Sequence, residues 1–315
     1  MIIQPDFQRG IVWSNKSQSI FIDSLIKQLP IPSLCISLDI KTNKRMVIDG
    51  LQRMSSIIRF LNDEEWKVTK TDSIDSRISG KKIALIREET PELIQIVENV
   101  VIPVTVIRCD YTNNYHMKYL YQIFQRLNSG GTKLLPQEIR NCIYQGKFNS
   151  KLKQIVRKPL WLELRNRNLT SIDNNRFLNE ELLLRFYAFY YDISEYEGKL
   201  TDFLNNFMFK NKDLSDEQLV IYESLITDTI QLIMDKIDDK SKITKLRRNS
   251  LEGLLIGVAK NLENLKEIPN NTFNDMYNTF INLPEFSFEE LSEGVAEKDK
   301  VNARIKSAIK AFAGK

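Results

Sequence analysis

The chain has 315 residues, 42% of them hydrophobic and 27% charged, which is ordinary for a globular protein and leaves room for two modest domains or one large one. Its net charge of +4 is compatible with DNA as a partner without requiring it. No apolar run reaches the length of a membrane span, and the first residues do not read as a signal peptide, so we expect a cytoplasmic protein.

The first half of the chain mixes helical and strand patterns. Periodicity predicts helices over residues 15–28, 51–62, 91–99 and 114–128, and strands over residues 33–39, 45–48 and 100–107. Ser14 is a good N-cap for the first helix, and the first two strands form a hairpin. Pro103 lacks an N–H group, so the third strand is expected to be bulged or at a sheet edge.

The second half is almost entirely helical in its pattern. Amphipathic stretches start near Phe177, after the capping-box pair Ser215 and Gln218, near Asn249 and near Lys298. We therefore predict an α+β protein, with an α/β domain over residues 1–148 and a helical domain over residues 149–315.

Histidine and cysteine are rare in this chain, so it has few of the side chains that commonly bind metal ions and metal cofactors. His116 is the single histidine and no Cys-x-x-Cys pair occurs, so we expect neither a zinc site nor an HNH-type nuclease centre, and no haem or iron–sulfur cluster. The three cysteines are far apart in apolar surroundings, which favours buried, reduced thiols: Cys35, Cys109 and Cys142.

The segment IDGLQR is the most informative motif. A strand leads into Asp49 and Gly50, and a helix opens at Leu51. The first N–H groups of a helix and its dipole favour an anion, and a glycine lets the backbone approach a ligand closely. Gln52 and Arg53 add two long donors in the first turn. The alternative is a plain helix start capped by Asp49, and the residues alone leave the two readings near even.

Two further segments gather polar side chains. PDFQRGIVW frames Gln8 and Arg9 with aromatic rings, and FQRLNSGGTKLLPQEIRN spreads two polar pairs around a double-glycine turn: Arg126 with Asn128, and Glu138 with Arg140. Taken singly, each segment also suits a structural role, as a packed arm or a capped helix–turn–helix. Basic runs at residues 151–167 and 242–248 suit either nucleic-acid backbone or a solvated helix face.

Together and in this order, the three segments resemble the N-terminal domain of GmrSD-type modification-dependent restriction proteins, long catalogued as a domain of unknown function and part of the ParB/sulfiredoxin-like superfamily. The helical half adds Glu180-Glu181 and the VNARI segment around Arg304. The family's DGQQR motif falls on residues 49–53, with Leu51 in place of the middle glutamine. The resemblance implies a small ParB/sulfiredoxin-like nucleotide-binding domain fused to a helical region, and nucleoside-triphosphate binding or hydrolysis coupled to DNA cleavage in phage defence.

We therefore hypothesise a nucleoside-triphosphate-binding protein, an NTPase of a restriction or phage-defence system, with Mg²⁺ accompanying the nucleotide. In this hypothesis the catalytic residues are Asp49, Gln52, Arg53 and Glu138, with Asp49 as the candidate Mg²⁺ ligand. The nucleotide-binding residues are Gln8, Arg9, Gly50, Arg126, Asn128 and Arg140.

Two alternatives stay open at the level of the sequence. One is a non-catalytic, ParB-like DNA-binding regulator, and the other is a nuclease in its own right. DNA cleavage under the main hypothesis would need a separate partner, a nuclease or methyltransferase subunit. The sequence leaves open the base preference and the oligomeric state.

Overall fold

The computed structural model describes residues 13–127, 134–170 and 177–314. The chain divides into two compact units, Met1–Leu134 and Leu135–Lys315. This division lies between residues 134 and 135, whereas the sequence predicted one between 148 and 149. The α+β class is confirmed, because the first unit combines helices with a small mixed sheet and the described part of the second unit is helical.

In the first unit the strands are β1 (Leu34–Asp39), β2 (Arg45–Asp49) and β3 (Val104–Cys109), and the helices are α1 (Asn15–Ile26), α2 (Leu51–Asn62), α3 (Ile83–Glu89), α4 (Pro91–Glu98) and α5 (Asn114–Leu127). The Ser14 hydroxyl accepts a hydrogen bond from the backbone N–H of Ser17 at 3.1 Å, as an N-cap should. The third strand starts after Pro103 and runs to Cys109, later than the predicted residues 100–107. The backbone carbonyl of Pro103 accepts from the N–H of Leu34 at 2.8 Å, which fixes where pairing begins.

The sheet has the order β2–β1–β3. β1 and β2 form the predicted antiparallel hairpin, with Cys35 opposite Asp49, and β1 and β3 are parallel, with Leu34 opposite Val104. β2 therefore ends at the same end of the sheet where β1 and β3 begin. β3 is an edge strand, as the proline at position 103 predicted. The side chain of Val104 is exposed to solvent.

The core of the first unit lies among α1, α2, α3 and α4. Apolar side chains at helical spacing in these four helices bury one another, and the Trp66 ring closes the cluster against Phe60 at 6.3 Å between ring centroids. β1 is buried along most of its length because it is the central strand. The position of α2 is thereby fixed, and with it the turn that precedes it.

The α-helices that the structure describes in the second unit are α6 (Pro136–Ile143), α7 (Lys147–Ile155), α8 (Pro159–Leu164), α9 (Leu178–Asp192), α10 (Leu200–Asn211), α11 (Asp216–Lys236), α12 (Lys240–Thr244), α13 (Arg248–Lys260), α14 (Leu262–Lys266), α15 (Asn270–Ile281) and α16 (Lys298–Ala311). α13 is buried from Ser250 to Ala259 and packs against α9, α11 and α16. A Cβ on its Gly257 would come within 2.7 Å of the Ala308 carbonyl oxygen, so the glycine allows α13 and α16 to approach closely.

The three cysteines are buried and free, as predicted. Burial raises the pKa of each thiol, that of Cys142 to about 12. Within the described residues, every helix is too short or too polar to cross a membrane.

Candidate functional site

The turn between β2 and α2 is built around Gly50. This residue has φ +101° and ψ 8° and forms the N-cap of α2. A Cβ at this position would lie 2.2 Å from the Cδ2 atom of Leu34, so both the backbone conformation and the neighbouring side chain require glycine. The first turn of α2 therefore follows β2 directly, and no cap side chain covers its N–H groups.

Asp49 and Arg53 flank this turn and form an ion pair. The Nη2 atom of Arg53 lies 2.8 Å from the Oδ2 atom of Asp49, four residues earlier. The side chain of Asp49 is 40% exposed, whereas that of Arg53 is only 10% exposed. The pair thus offers a carboxylate to solvent while its guanidinium group stays inside. The positive charge in the first turn, which opposes the helix dipole, is balanced by this carboxylate.

The buried guanidinium of Arg53 also holds the chain that enters β1. It donates to the backbone carbonyl of Pro32 and, at 3.2 Å, to that of Ser33. The guanidinium N–H groups of Arg53 are therefore bonded to backbone carbonyls of this loop. The positive charge of the side chain remains beside the first turn of α2. Burial, followed by the Asp49 carboxylate, raises the pKa of the neighbouring Cys35 thiol, which keeps that side chain neutral.

Gln52 joins this turn to the first sequence segment. Its Oε1 atom accepts a hydrogen bond from the backbone N–H of Trp13 at 3.1 Å. Trp13 is fixed in turn by Gln18, which donates to its carbonyl at 2.8 Å, and by an edge contact with the Phe21 ring. The PDFQRGIVW and IDGLQR segments therefore meet in space. Gln8 and Arg9 themselves lie outside the described residues.

A groove of about 850 Å³ adjoins the loop that Arg53 holds. Its walls come from the segment between α1 and β1, including Ile31, and from the end of α4 and the residues after it. The lining is mainly apolar, and its polar side chains are the carboxylate of Glu92 and three carboxamides: Gln28, Gln95 and Asn99. Apolar walls with a few placed polar groups are typical of small-molecule sites.

The third segment is divided between the two units. Arg126 lies exposed in the last turn of α5, which packs against β2 and β3, and Asn128 lies outside the described residues. Glu138 and Arg140 lie in α6 of the second unit, where both are buried. The Oε2 atom of Glu138 accepts from the backbone N–H of Leu135 at 2.6 Å and so caps α6. The site roles assigned to these side chains stay predictions.

Arg140 belongs to a network that the sequence analysis did not assemble. Its Nη2 atom lies 2.7 Å from the Oε2 atom of Glu181, and Arg248 approaches the other oxygen of Glu181 at 3.0 Å. Deeper inside, Arg185 donates to both oxygens of the buried Glu252. A single glutamate in the apolar SLEGLLIGV stretch of α13 is the signal from which a buried partner could have been expected.

The two basic runs are partly neutralised. Lys151 and Lys158 both pair with Glu223, and Lys240 lies 3.2 Å from Glu163. Several lysines in or beside the two basic runs are therefore paired with carboxylates of the second unit. Among the described residues, no three histidine, cysteine or carboxylate side chains come close enough to hold a metal ion.

The resemblance read from the sequence is supported by a family match. Residues 1–145 match the family described as GmrSD restriction endonuclease, N-terminal domain. The match covers the described sheet, the Gly50 turn and the α6 helix. The chain has no significant match among curated proteins or among solved structures.

Proposed function

We propose that this chain, whose residues 1–145 match the family of the GmrSD restriction endonuclease N-terminal domain, binds and hydrolyses nucleoside triphosphates in a restriction or phage-defence system. The observation that carries this proposal is the Gly50 turn. A strand ends, a glycine with positive φ follows, and a helix opens with its N–H groups uncovered by any cap side chain. This arrangement suits the oxygens of a phosphate group.

Charge around the turn supports a phosphate bound as its Mg²⁺ complex. Mg²⁺ that arrives with a nucleotide needs only one or two protein carboxylates, because phosphate oxygens and water supply the remaining ligands. Asp49 offers one carboxylate, 40% exposed, at the end of β2. Arg53 lies behind it and holds the Pro32–Ser33 backbone, so it positions the turn and adds a fixed positive charge.

The groove beside the loop that Arg53 holds would receive the rest of the nucleotide. Ile31 lines the groove, and the next two residues contribute the carbonyls that Arg53 binds, so the groove and the turn share one loop. Apolar walls suit the face of a base or sugar, and carboxamides such as Gln95 and Asn99 suit the edge of a base.

Hydrolysis at such a site would depend on positioning and on charge stabilisation. The N–H groups of the α2 turn and the charge of Arg53 would favour the negative charge of the phosphoryl oxygens. Asp49 would orient the attacking water or hold the Mg²⁺ of the substrate. Such a site works without a covalent nucleophile. Cleavage of DNA would fall to a separate partner subunit.

The binding test is calorimetry with the Mg²⁺ complexes of ATP, GTP, CTP and UTP, followed by assays of phosphate release. The decisive variant is Asp49→Asn, which keeps the shape of the side chain and removes its charge. Its matched control is Asp63→Asn at the other end of α2, where Asp63 pairs with Arg59 four residues earlier, at 3.2 Å. We expect Asp49→Asn to weaken binding or release by about tenfold or more, or about 1.4 kcal/mol, and Asp63→Asn to leave both unchanged.

Absence of heat with all four nucleotides at millimolar concentration would refute nucleotide binding. Equal effects of the two aspartate variants would refute the site. Arg53→Ala is less informative, because loss of the guanidinium also frees the loop before β1. Arg53→Lys keeps the charge and loses the fork, and circular dichroism of that variant separates a folding defect from a binding defect.

A further inference from the structure

A buried cluster of arginines stands apart from the site proposed above, in the second unit. In its described ion pairs four guanidinium groups share two carboxylates. Arg140 and Arg248 share Glu181, and Arg185 and Arg304 share Glu252. Glu180, on the same helix as Glu181, is also buried.

Arg304 is the least satisfied member. Its side chain is 1% exposed, and its Nη2 atom stays 3.8 Å from the nearest Glu252 oxygen, beyond hydrogen-bond distance. Within the described residues, its Nε and Nη2 atoms make no hydrogen bond, and Nη1 donates only to the Val295 carbonyl at 3.3 Å. Burial lowers the pKa of Arg304, and the positive charge of Arg185 adds to that effect. A buried cation with unpaired N–H groups is costly. Arg304 lines a separate cavity together with Glu285, Glu290 and Asp299, and it is not among the residues that line the cavity beside Arg185.

A cavity of about 310 Å³ adjoins this cluster. Its polar lining consists of Arg185, Arg248 and Asn249, and its other walls include Tyr196 and the Val295 segment to which Arg304 donates. Arg248 has a side chain that is 37% exposed, so the cavity can be reached from solvent. Arg185 is held in place by Glu252 and by the Asn249 side-chain oxygen, at 2.9 Å, which fixes its orientation before any ligand binds.

Arg165 and Arg167 carry further positive charge, and Arg165 is close enough to Arg248 to be affected by its charge. Burial lowers the pKa of Arg165, and the nearby positive charges of Arg167 and Arg248 lower it further. Arg165 and Arg167 belong to one basic run of the sequence and Arg248 to the other, so the fold brings the two runs together at this point. Arg248 and Asn249 also open the α13 helix, whose dipole favours an anion at this end.

We propose that this cavity is a binding site for a phosphate group, held by Arg185 and Arg248 at the start of α13. Guanidinium forks match the geometry of phosphoryl oxygens, and the cavity lies at the lower end of the size range of small-molecule sites. The shared chemistry is an anionic phosphoryl group, supplied either by a free phosphate or by the backbone of a nucleic-acid strand. The site is independent of the nucleotide site proposed for the first unit.

The test uses the full chain and compares two adjacent arginines. Arg248→Gln removes a cavity residue, whereas Arg247→Gln removes the same charge one residue earlier, where the guanidinium stacks on the Phe288 ring at 4.5 Å. Sodium phosphate is titrated calorimetrically at constant ionic strength. We expect saturable binding by the wild type and by Arg247→Gln, and binding weaker by about tenfold in Arg248→Gln. Arg248→Lys keeps the charge without the fork and should fall between them.

The source of the phosphate is decided by a second arm with a short DNA oligonucleotide. If a nucleic-acid strand is the source, the oligonucleotide binds with a steep salt dependence, phosphate competes with it, and Arg248→Gln weakens it more than Arg247→Gln does. If a free phosphate is the source, phosphate binds and the oligonucleotide does not compete. Either result supports the site.

The proposal is overturned if neither probe binds saturably, or if the two arginine variants lose binding equally. It is also overturned if Arg248→Gln lowers the melting temperature but leaves phosphate binding unchanged, since Arg248 would then have only a structural role. Measuring the Asp49→Asn variant in the same titration separates this site from the first unit: phosphate binding that depends on Arg248 should persist in it.

Discussion

Two ion pairs of the same chemical type, one in each unit, differ in their access to water. Asp49 pairs with Arg53 in the first unit, and Glu252 pairs with Arg185 in the second. The carboxylate is 40% exposed in the first pair and 0% exposed in the second, although both arginines are nearly buried. An exposed carboxylate can exchange its solvent for a ligand, whereas a closed one can only organise the helices around it. Solvent access, and not residue type, therefore separates a carboxylate that can itself meet a ligand from one that only holds its arginines in place.

The largest expected effect comes from removing the carboxylate of the buried pair between Glu252 and Arg185. Glu252→Gln would leave Arg185 and Arg304 buried without their shared anion, and we expect a loss of about 3–5 kcal/mol in the free energy of unfolding. Urea unfolding followed by circular dichroism measures it. The control is Glu163→Gln, whose pair with Lys240 is half exposed on both sides and should contribute about 0–1 kcal/mol. Similar losses of stability in Glu252→Gln and Glu163→Gln would mean that burial does not distinguish the two ion pairs.

The next effect concerns the backbone that presents the open pair. Gly50→Ala would combine a strained φ of +101° with a Cβ that meets the Leu34 side chain, and we expect a loss of about 1–3 kcal/mol. Gly80→Ala is the control, since Gly80 also has a positive φ but faces the flexible side chain of Lys70. Its loss should be about 1 kcal/mol. If Gly50→Ala is no worse than Gly80→Ala, the turn is less fixed than its geometry indicates.

A smaller effect is expected from the open pair itself. Asp49→Asn removes the charge of a carboxylate that is 40% exposed, so the free energy of unfolding should change by less than about 1 kcal/mol. Asp63→Asn should behave in the same way. A loss as large as that of Glu252→Gln would mean that Asp49 is needed for folding, and its use as a binding probe would then fail.

The smallest effect appears only in acid and tests the ion pair of Asp75 with Arg77, whose arginine side chain is half exposed. Hydrogen bonds from the Arg77 side chain and backbone lower the pKa of Asp75 from 3.8 to about 2. Because the folded state binds this proton less readily than the unfolded state, the stabilisation is present above about pH 4 and is lost as the pH falls toward about 2. Urea unfolding midpoints between about pH 5 and about pH 2 should show this loss in the wild type and less of it in Asp75→Asn. If the unfolding midpoints of the wild type and of Asp75→Asn fall in parallel as the pH is lowered, the lowered pKa of Asp75 is not the cause of the loss.

Local patterns in the sequence predicted most of the first unit. The hairpin, the Ser14 cap, the α2 helix and the glycine between β2 and α2 follow from neighbours a few residues apart, and each is confirmed. The third strand was placed too early, because an apolar run alone does not reveal where pairing starts. The Pro103 carbonyl meets the Leu34 N–H, and that long-range contact sets the start.

The contacts that matter most at the two candidate sites are non-local and were not predicted. Arg53 binds the carbonyls of Pro32 and Ser33 across a loop, and Arg185 finds Glu252 at a separation of 67 residues. Periodicity assigns a residue to a helix but does not identify the partner of its charge. Asp49 lies outside α2, as the last residue of β2, so its pairing with Arg53 depends on the Gly50 turn and was not predicted either.

The buried thiols have a practical use. Cys35, Cys109 and Cys142 are the three cysteines of the chain, and burial raises the pKa of each, so none should react with maleimides while the protein is folded. A cysteine introduced at an exposed position, such as Val220→Cys on α11, would then take up a fluorophore or spin label selectively. Spectroscopic experiments on ligand binding can thus start from the natural chain, without first removing its own sulfhydryl groups.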